Sequence, residues 1–288
     1  QDQLIATINE VGYEVLLVRS ATTVRKDLID ACPGLKIIGR GGVGMDNIDV
    51  AYARSKGLHV VNTPAASSRS VAELAMAHLF SIVRSLPMVN RKMAEDGVSN
   101  FKSLKKSASK GIELQGKTLG LIGIGRIGRE TASLALGCGM KVIAFDPYIE
   151  ETEISLNLHP DYHHHAKFPI KTIAKEQLLA EADFISLHIP GGQGYVLDSE
   201  DFELMKDGVG IVNCARGGTI REEALLSAIE SHKVKYVATD VFEKEPPVDE
   251  RILRVEQIGL SPHSGASTLE AQDRGGEELA AQVRNLLS

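Results

Sequence analysis

Three residues of types that can move a proton or grip an anion each follow a short apolar run. They are Arg216 in Asn213-Cys214-Ala215-Arg216-Gly217-Gly218, Glu245 in Asp240-Val241-Phe242-Glu243-Lys244-Glu245-Pro246, and His263 in Ser261-Pro262-His263-Ser264-Gly265-Ala266-Ser267-Thr268. Taking hydride from a C–OH carbon requires the hydroxyl proton to leave too, and an imidazole, which titrates near neutral pH, suits that transfer. A neighbouring carboxylate favours imidazolium. A guanidinium binds a carboxylate through two parallel hydrogen bonds. Each residue also has a plain structural explanation, Glu245 as a surface ion pair and His263 as a capping side chain. Together with the glycine motif that follows, the set points to coupled hydride and proton transfer.

That motif is Gly123-Ile124-Gly125-Arg126-Ile127-Gly128. It follows an apolar strand, opens a helix, and precedes a second strand ending at Asp146, 18 residues after Gly128. This is the context of a dinucleotide fingerprint. Gly123 permits the tight turn, Gly125 lets the backbone approach a pyrophosphate, and Gly128 allows close helix–strand packing, while helix N–H groups face the anion. Asp146 would accept hydrogen bonds from the adenosine ribose and repel a 2′-phosphate, which favours NAD over NADP. Its alternative is a cap on the turn at Pro147. Arg126 stands at the pyrophosphate end; Arg129, one turn on, is expected in solvent.

Parallel strands are the elements that bring such segments together. Residues 3–18 read as the back half of a helix, stopped by Gly12, and then a strand. Helix 24–31, strand 35–38, helix 52–56 and strand 58–61 continue the alternation. Ser70 and Glu73 form a capping box for a long apolar helix, and Pro87 opens another to about Glu95. A second series starts at Lys117, with strands at 118–122, 141–145, 184–188, 209–213, 236–239 and 257–260 and a closing helix at 269–287. Alternation of this kind implies α/β architecture, parallel strands with covering helices. An opening strand is expected to precede residue 3, and, with no initial Met, the sequence is expected to be a trimmed or observed fragment. The lysine-rich stretch 97–110 reads as a solvated loop, with a phosphate site as its alternative.

Composition limits the function classes. Of 288 residues, 43 % are hydrophobic and 24 % charged, an ordinary globular mixture. No apolar run reaches the length of a membrane span. A formal charge of −6 disfavours a nucleic-acid or membrane-surface partner and requires any anionic substrate to have a local cationic pocket. Cys32, Cys138 and Cys214 are odd in number and widely spaced, and no secretory signal is visible, so a reducing, cytoplasmic setting is expected. His159, His163, His164 and His165 lie around Pro160 and read as a solvated insertion loop; no metal is expected.

These motifs together resemble the D-isomer-specific 2-hydroxyacid dehydrogenases over almost the whole chain. The resemblance implies that Arg216 grips the substrate carboxylate and polarises the carbonyl, that His263 is the general acid/base, and that Glu245 pairs with it, Glu243 being structural. It implies NAD contacts from Gly123, Gly125, Arg126, Ile127, Gly128, Asp146, His188, Pro190, Cys214, Ala215, Arg216, Asp240, His263 and Gly265. The glycine-rich run 38–49 would form an anion-binding nest, with Gly42 and Val43 at the substrate carboxylate. Arg40 resembles the arginine that phosphoglycerate dehydrogenases place near the substrate phosphate; its alternative is a brace to Asp46 or Asp49. Arg69 is either a second cation or a solvated helix start. Ser67 departs from a frequent asparagine, and Gly191-Gly192-Gln193-Gly194 from a T-x-x-T stretch, which puts those family contacts in doubt.

The implied fold is two Rossmann-like or flavodoxin-like domains with parallel sheets and a cleft between them: a discontinuous substrate domain, 1–87 and 264–288, and an NAD domain, 88–263. The implied activity is that of a short D-3-phosphoglycerate dehydrogenase without a C-terminal regulatory domain, oxidising 3-phospho-D-glycerate to 3-phosphooxypyruvate at the start of serine biosynthesis. A homodimer is expected through the apolar helix around residues 75–83. The alternatives are a hydroxypyruvate/glyoxylate reductase or D-lactate-type dehydrogenase, and an NADH-sensing corepressor-like scaffold.

Overall fold

The computed structural model describes every residue except 157, 160, 162–165 and 193. It divides into two compact units, Gln1–Ser70 with Ala266–Ser288, and Val71–Gly265. The first unit begins with α1 (Asp2–Val11), β1 (Val15–Val18), α2 (Lys26–Ala31), β2 (Ile37–Arg40), α3 (Val50–Ser55) and β3 (His59–Asn62). Its strands form a parallel sheet in the order β1-β2-β3. Gly12 ends α1 in the left-handed conformation, its N–H returning to the Ile8 carbonyl, as a helix-terminating glycine does. Leu28, Ile29 and Ile38 bury the helix–sheet interface.

In the second unit α4 (Ser68–Val83), α5 (Leu86–Asp96) and α6 (Phe101–Ala108) lead into β4 (Thr118–Ile122), α7 (Arg126–Gly137), β5 (Lys141–Phe145), β6 (Glu151–Ser155) and β7 (Lys167–Lys171). There follow α8 (Lys175–Glu181), β8 (Phe184–Leu187), α9 (Ser199–Leu204), β9 (Val209–Asn213), α10 (Glu222–Glu230), β10 (Val234–Thr239), α11 (Glu250–Arg254) and β11 (Gly259–Leu260). Six strands make one parallel sheet in the order β11-β10-β9-β8-β4-β5. Strands β8 and β9 are buried along their whole length, as expected of a sheet covered on both faces. The chain then returns to the first unit as α12 (Leu269–Leu287). There Leu279 packs so closely on β2 that a Cβ on Gly39 would come within 3.1 Å of it.

Several expectations need correction. The first boundary falls at 70/71, not 87/88, because α4 spends its apolar face inside the second unit: Val71, Ala75, Met76, Leu79, Ile82 and Val83 are buried with Leu119, Leu121 and Ala238. Most of the stretch expected at a dimer interface, 75–83, is therefore core, Ala77 and Phe80 being exposed; further exposed apolar side chains nearby are Leu86, Met93, Val98 and Phe101. Residues 264 and 265 also stay with the second unit. Helix α4 starts at Ser68, so Ser70 is no N-cap; its hydroxyl meets that of Thr268 at 2.8 Å. The stretch read as a loop contains α6, which one buried residue, Leu104, anchors; a single anchor leaves no apolar period to detect. Strands β6 and β7 pair as an antiparallel ribbon flanking the histidine-rich segment. Among the described residues no helix alone is long and apolar enough to cross a membrane.

Candidate active site

Every segment singled out in the second unit leaves the carboxyl end of a strand in one parallel sheet. The glycine loop follows β4, Asp146 follows β5, His188 follows β8, Arg216 follows β9, Glu245 follows β10 and His263 follows β11. Strands β4 and β8 are neighbours although most of a βαβ unit and the ribbon intervene in sequence, and such a switch point is where open α/β sheets bind ligands.

The glycines there meet specific demands. Gly123 has φ 97°, and a Cβ on it would lie 2.5 Å from the His188 carbonyl oxygen. One on Gly128 would lie 2.2 Å from the Gly123 oxygen, whereas one on Gly125 would meet no heavy atom within 4 Å. Two glycines are thus filled against protein, and the middle one faces open space. Helix α7 starts directly after it, with its first turn-closing bond from Arg129 N–H to the Gly125 carbonyl. The N–H groups of Arg126, Ile127 and Gly128 are accordingly the end donors of the helix. Asp146 accepts from Ile124 N–H (3.0 Å) and Tyr148 N–H (2.9 Å), so it does cap the Pro147 turn while its carboxylate stands at the glycine loop. These residues fit a bound dinucleotide. Arg126 is exposed at the helix start, and exposed Arg129 also donates to the Ile124 carbonyl.

His188 donates its backbone N–H to Ile122 and meets the Ser186 hydroxyl through Nε2 at 3.0 Å. Its Nδ1 is shielded from solvent and has no hydrogen-bond partner among the described residues. Burial pushes this imidazole down to about 3, so it is neutral at physiological pH. Pro190 is exposed. Cys214 and Ala215 are buried; burial, reinforced by the Asp240 charge, pushes the Cys214 thiol up and out of nucleophilic use.

The turn carrying Arg216 is built from buried groups. Asn213 accepts from Ala215 N–H, and Thr219 Oγ1 donates to the Arg216 carbonyl at 2.7 Å. The guanidinium donates to the Ala215 carbonyl. A Cβ on Gly217 would lie 1.7 Å from the Phe242 oxygen. That glycine therefore lets the Arg216 turn abut the segment bearing Glu245.

Glu245 and His263 meet directly, Oε2 to Nδ1, at 2.6 Å. The other carboxylate oxygen accepts from Phe242 N–H at 3.3 Å, and the Glu245–Pro246 peptide is cis. An anionic carboxylate only accepts, so Nδ1 carries a proton, and in the neutral ring Nε2 is then the acceptor. Glu243 exchanges two backbone–carboxylate bonds with Glu222 instead and is structural, as expected. The pair borders a cavity of about 370 Å³ lined by Phe242, Pro246, Pro247, Leu253, Leu260 and Pro262.

Asp240 has a part that its sequence position did not suggest. It is 1 % exposed, and its carboxylate accepts from Ser264 N–H and Gly265 N–H, each at 2.9 Å, and from the Ser261 hydroxyl at 2.5 Å. Its carbonyl accepts from His263 N–H at 2.7 Å. His263 itself has φ 52°. A non-glycine residue held there costs on the order of 1 kcal/mol and needs such support. Asp240 thus shapes the acid/base turn; proximity in space, across 21 to 25 residues of sequence, is what reveals it.

In the first unit the nest follows β2. Gly42 has φ 146°, and a Cβ on it would lie 1.7 Å from Arg40 Nη1, so the guanidinium folds across that glycine. Thr63 N–H donates to the Gly42 carbonyl, and Asn62 Nδ2 to that of Val43 at 2.6 Å. Asp49 pairs with Arg25 at 2.9 Å. Ser67 is buried with no partner for its hydroxyl among the described residues. His163, His164, His165 and Gln193 lie outside the described residues, among which no cluster of three or more metal-ligating side chains occurs.

Comparison with known proteins supports this architecture. The family described as D-isomer specific 2-hydroxyacid dehydrogenase, NAD binding domain, matches residues 76–265. A hydroxypyruvate reductase of Thermotoga maritima is 46 % identical over 98 % of this chain and 87 % of its own length. A D-3-phosphoglycerate dehydrogenase of Methanocaldococcus jannaschii is 40 % identical over 100 % of this chain and 52 % of its own; the chain thus spans about half of that relative. The crystal structure of a D-lactate dehydrogenase from Aquifex aeolicus, complexed with NAD and lactic acid, superposes with a TM-score of 0.75 at 28 % identity, covering 97 % of this chain and 84 % of that one.

Proposed function

The chain belongs to the D-isomer-specific 2-hydroxyacid dehydrogenases, oxidoreductases that use NAD, and on that premise we propose that it oxidises 3-phospho-D-glycerate to 3-phosphooxypyruvate, a step toward serine. The observation that carries the choice of substrate is Arg40, whose guanidinium folds over Gly42 in the glycine nest. An anion held by backbone N–H groups with a guanidinium alongside suits a substrate bearing a carboxylate and a phosphate. The matching of phosphoglycerate dehydrogenases along the whole chain supports the same reading.

Arg216 would hold the carboxylate and draw electron density from the C2 oxygen. His263 would take the hydroxyl proton on Nε2, while Glu245 keeps the proton on Nδ1 and stabilises the imidazolium that forms. Bound NAD supplies the acceptor for the C2 hydride. In the reverse direction His263 returns its proton to the carbonyl oxygen. Gly123, Gly125, Gly128 and the start of α7 would hold the pyrophosphate, and Asp146 the ribose.

A second reading, reduction of hydroxypyruvate, is favoured by the 46 % identity to the Thermotoga maritima protein over most of its length. Hydroxypyruvate differs from 3-phosphooxypyruvate only in lacking the phosphoryl group, so the same proton and hydride chemistry, run in the reducing direction, serves it. Pairing of two copies through Phe80, Leu86, Met93, Val98 and Phe101 belongs to the proposal, as does a reducing compartment, consistent with three free cysteines.

The deciding experiment compares kcat/KM for 3-phosphoglycerate and D-glycerate with NAD, and for hydroxypyruvate and glyoxylate with NADH, in wild type and Arg40→Ala. Preference for the phosphorylated acid that falls by about 100-fold in the variant supports the first reading, since a charge-assisted contact contributes roughly 3 kcal/mol. Turnover of the unphosphorylated acids alone, indifferent to Arg40, would overturn it in favour of the second.

A further inference from the structure

Helix α4 carries one buried side chain that the chemistry above does not use. His78 lies on its apolar face beside Leu79, Ile82 and Ala75, and is 8 % exposed. Burying an imidazole is costly unless it is hydrogen-bonded. Its Nε2 stands 2.8 Å from Ser261 Oγ, and Ser261 Oγ stands 2.5 Å from Asp240 Oδ1. The backbone of β11 closes on the ring's other side, since a Cβ on Gly259 would lie 3.3 Å from His78 Nδ1.

The direction of these bonds follows from donor inventory. A serine hydroxyl has one proton, and a carboxylate only accepts. The Ser261 proton therefore goes to Asp240, and Ser261 must accept from His78. That fixes His78 as the neutral Nε2–H tautomer; burial favours the uncharged ring, with the Asp240 charge opposing. The chain His78→Ser261→Asp240 ends on the carboxylate that gathers Ser264 N–H and Gly265 N–H and whose carbonyl holds His263 N–H. Without the His78 donor, the Ser261 hydroxyl can turn among three staggered positions, and Asp240 loses an oriented partner beneath the left-handed His263.

We propose that His78 is a positioning residue for the acid/base pair, acting through Ser261 and Asp240 to hold the His263 turn in register with Glu245. The proposal rests on the reading of His263 as proton carrier. Misplacing a reacting group by a fraction of an ångström lowers turnover without weakening cofactor binding, and about tenfold is expected here, against roughly 100-fold for a full ångström.

The test uses whichever acid the wild type turns over. His78→Leu keeps the volume and removes the donor; kcat should fall about tenfold, with NADH affinity unchanged. His78→Gln places an amide N–H near the position of Nε2 and should restore most of kcat. Ser261→Ala should match His78→Leu, and the double variant should be no worse than Ser261→Ala, as members of one chain are non-additive. Unchanged turnover in His78→Leu, failure of His78→Gln to rescue, or additive losses would each overturn the proposal. If His78→Leu does not fold, Ser261→Ala and His78→Gln decide on the same criteria. A measurement independent of turnover is the ring N–H signal of His78 in NADH-loaded, 15N-histidine protein. It should persist in wild type and be lost in Ser261→Ala; a signal indifferent to Ser261 would refute the relay. Should the wild type turn over no hydroxy or oxo acid, the catalytic reading fails by itself, and this signal still decides whether the relay exists.

Discussion

Acidification should weaken this protein well above the carboxylate range, and His188 is the reason. Burial holds its ring near 3, against 6.5 in an ordinary setting. Between those values the unfolded chain binds a proton that the folded one does not, so stability rises with pH there and is lost on acidification. At pH 7.5 both states are neutral and the contribution is negligible. At pH 5.0 the unfolded imidazole is almost fully protonated, and 1.5 units below 6.5 corresponds to about 2 kcal/mol. That figure hardly changes for any folded value below about 4.5. Replacing His188 with Gln removes the titration while keeping a polar group near Ser186. Urea unfolding of the cofactor-free protein, followed by circular dichroism at pH 7.5 and 5.0, measures the effect. The variant should start less stable at pH 7.5 and lose about 2 kcal/mol less than wild type on going to pH 5.0. Equal losses in the two proteins would refute the claim that His188 is folded as a neutral, shielded ring.

Other expectations follow from the same geometry. Gly125→Ala should leave the melting temperature unchanged but weaken NADH binding at least about tenfold, because its Cβ meets nothing in the protein and would enter the space proposed for the pyrophosphate. Gly128→Ala, with a Cβ 2.2 Å from the Gly123 oxygen, should lower both stability and affinity in the same two assays. Gly217→Ala must displace the Phe242 carbonyl and should cost about 2 kcal/mol or more in chemical unfolding, together with most activity. Burial raises the Asp183 carboxyl, but Thr118 N–H and the Lys206 ammonium outweigh it and hold it below its usual 3.8. Its contribution is therefore complete above 3.8 and lost as pH falls through the lower folded value. Asp183→Asn should be about 1 kcal/mol less stable at pH 7, a gap that narrows as pH falls below 3.8 and through the lower folded value; a gap that does not narrow on acidification would contradict the assignment.

Much of the site was legible in the sequence because its parts are local. Gly123, Gly125 and Gly128 lie within six residues of sequence, so their spacing can be read directly, although the neighbour that excludes a Cβ on Gly123 is the distant His188 carbonyl. Arg216, Glu245 and His263 each stand just past an apolar strand, and parallel strands align their ends. What stayed hidden depends on contacts remote in sequence. Asp240 was singled out only as a cofactor residue, and its carboxylate also gathers the groups of the His263 turn, 21 to 25 residues on. His78 on an apolar helix is indistinguishable from a core histidine until its 183-residue reach to Ser261 is known. The domain boundary was misplaced for a similar reason. Periodicity showed that α4 has an apolar face, and only packing shows which core takes it. Helix α6 and the β6–β7 ribbon escaped because each has a single well-buried residue per element to reveal it.

Proton transfer by a glutamate-held His263 is the centre of the account, and one comparison tests it most directly. Wild type and His263→Ala are assayed with NADH and hydroxypyruvate, and NADH affinity is measured in parallel by fluorescence titration. Loss of the proton carrier should lower kcat by about 100-fold to 10,000-fold, with NADH affinity within about twofold of wild type, since the loops proposed to hold the pyrophosphate and ribose follow β4 and β5 rather than β11. Turnover retained within about tenfold of wild type would contradict the account.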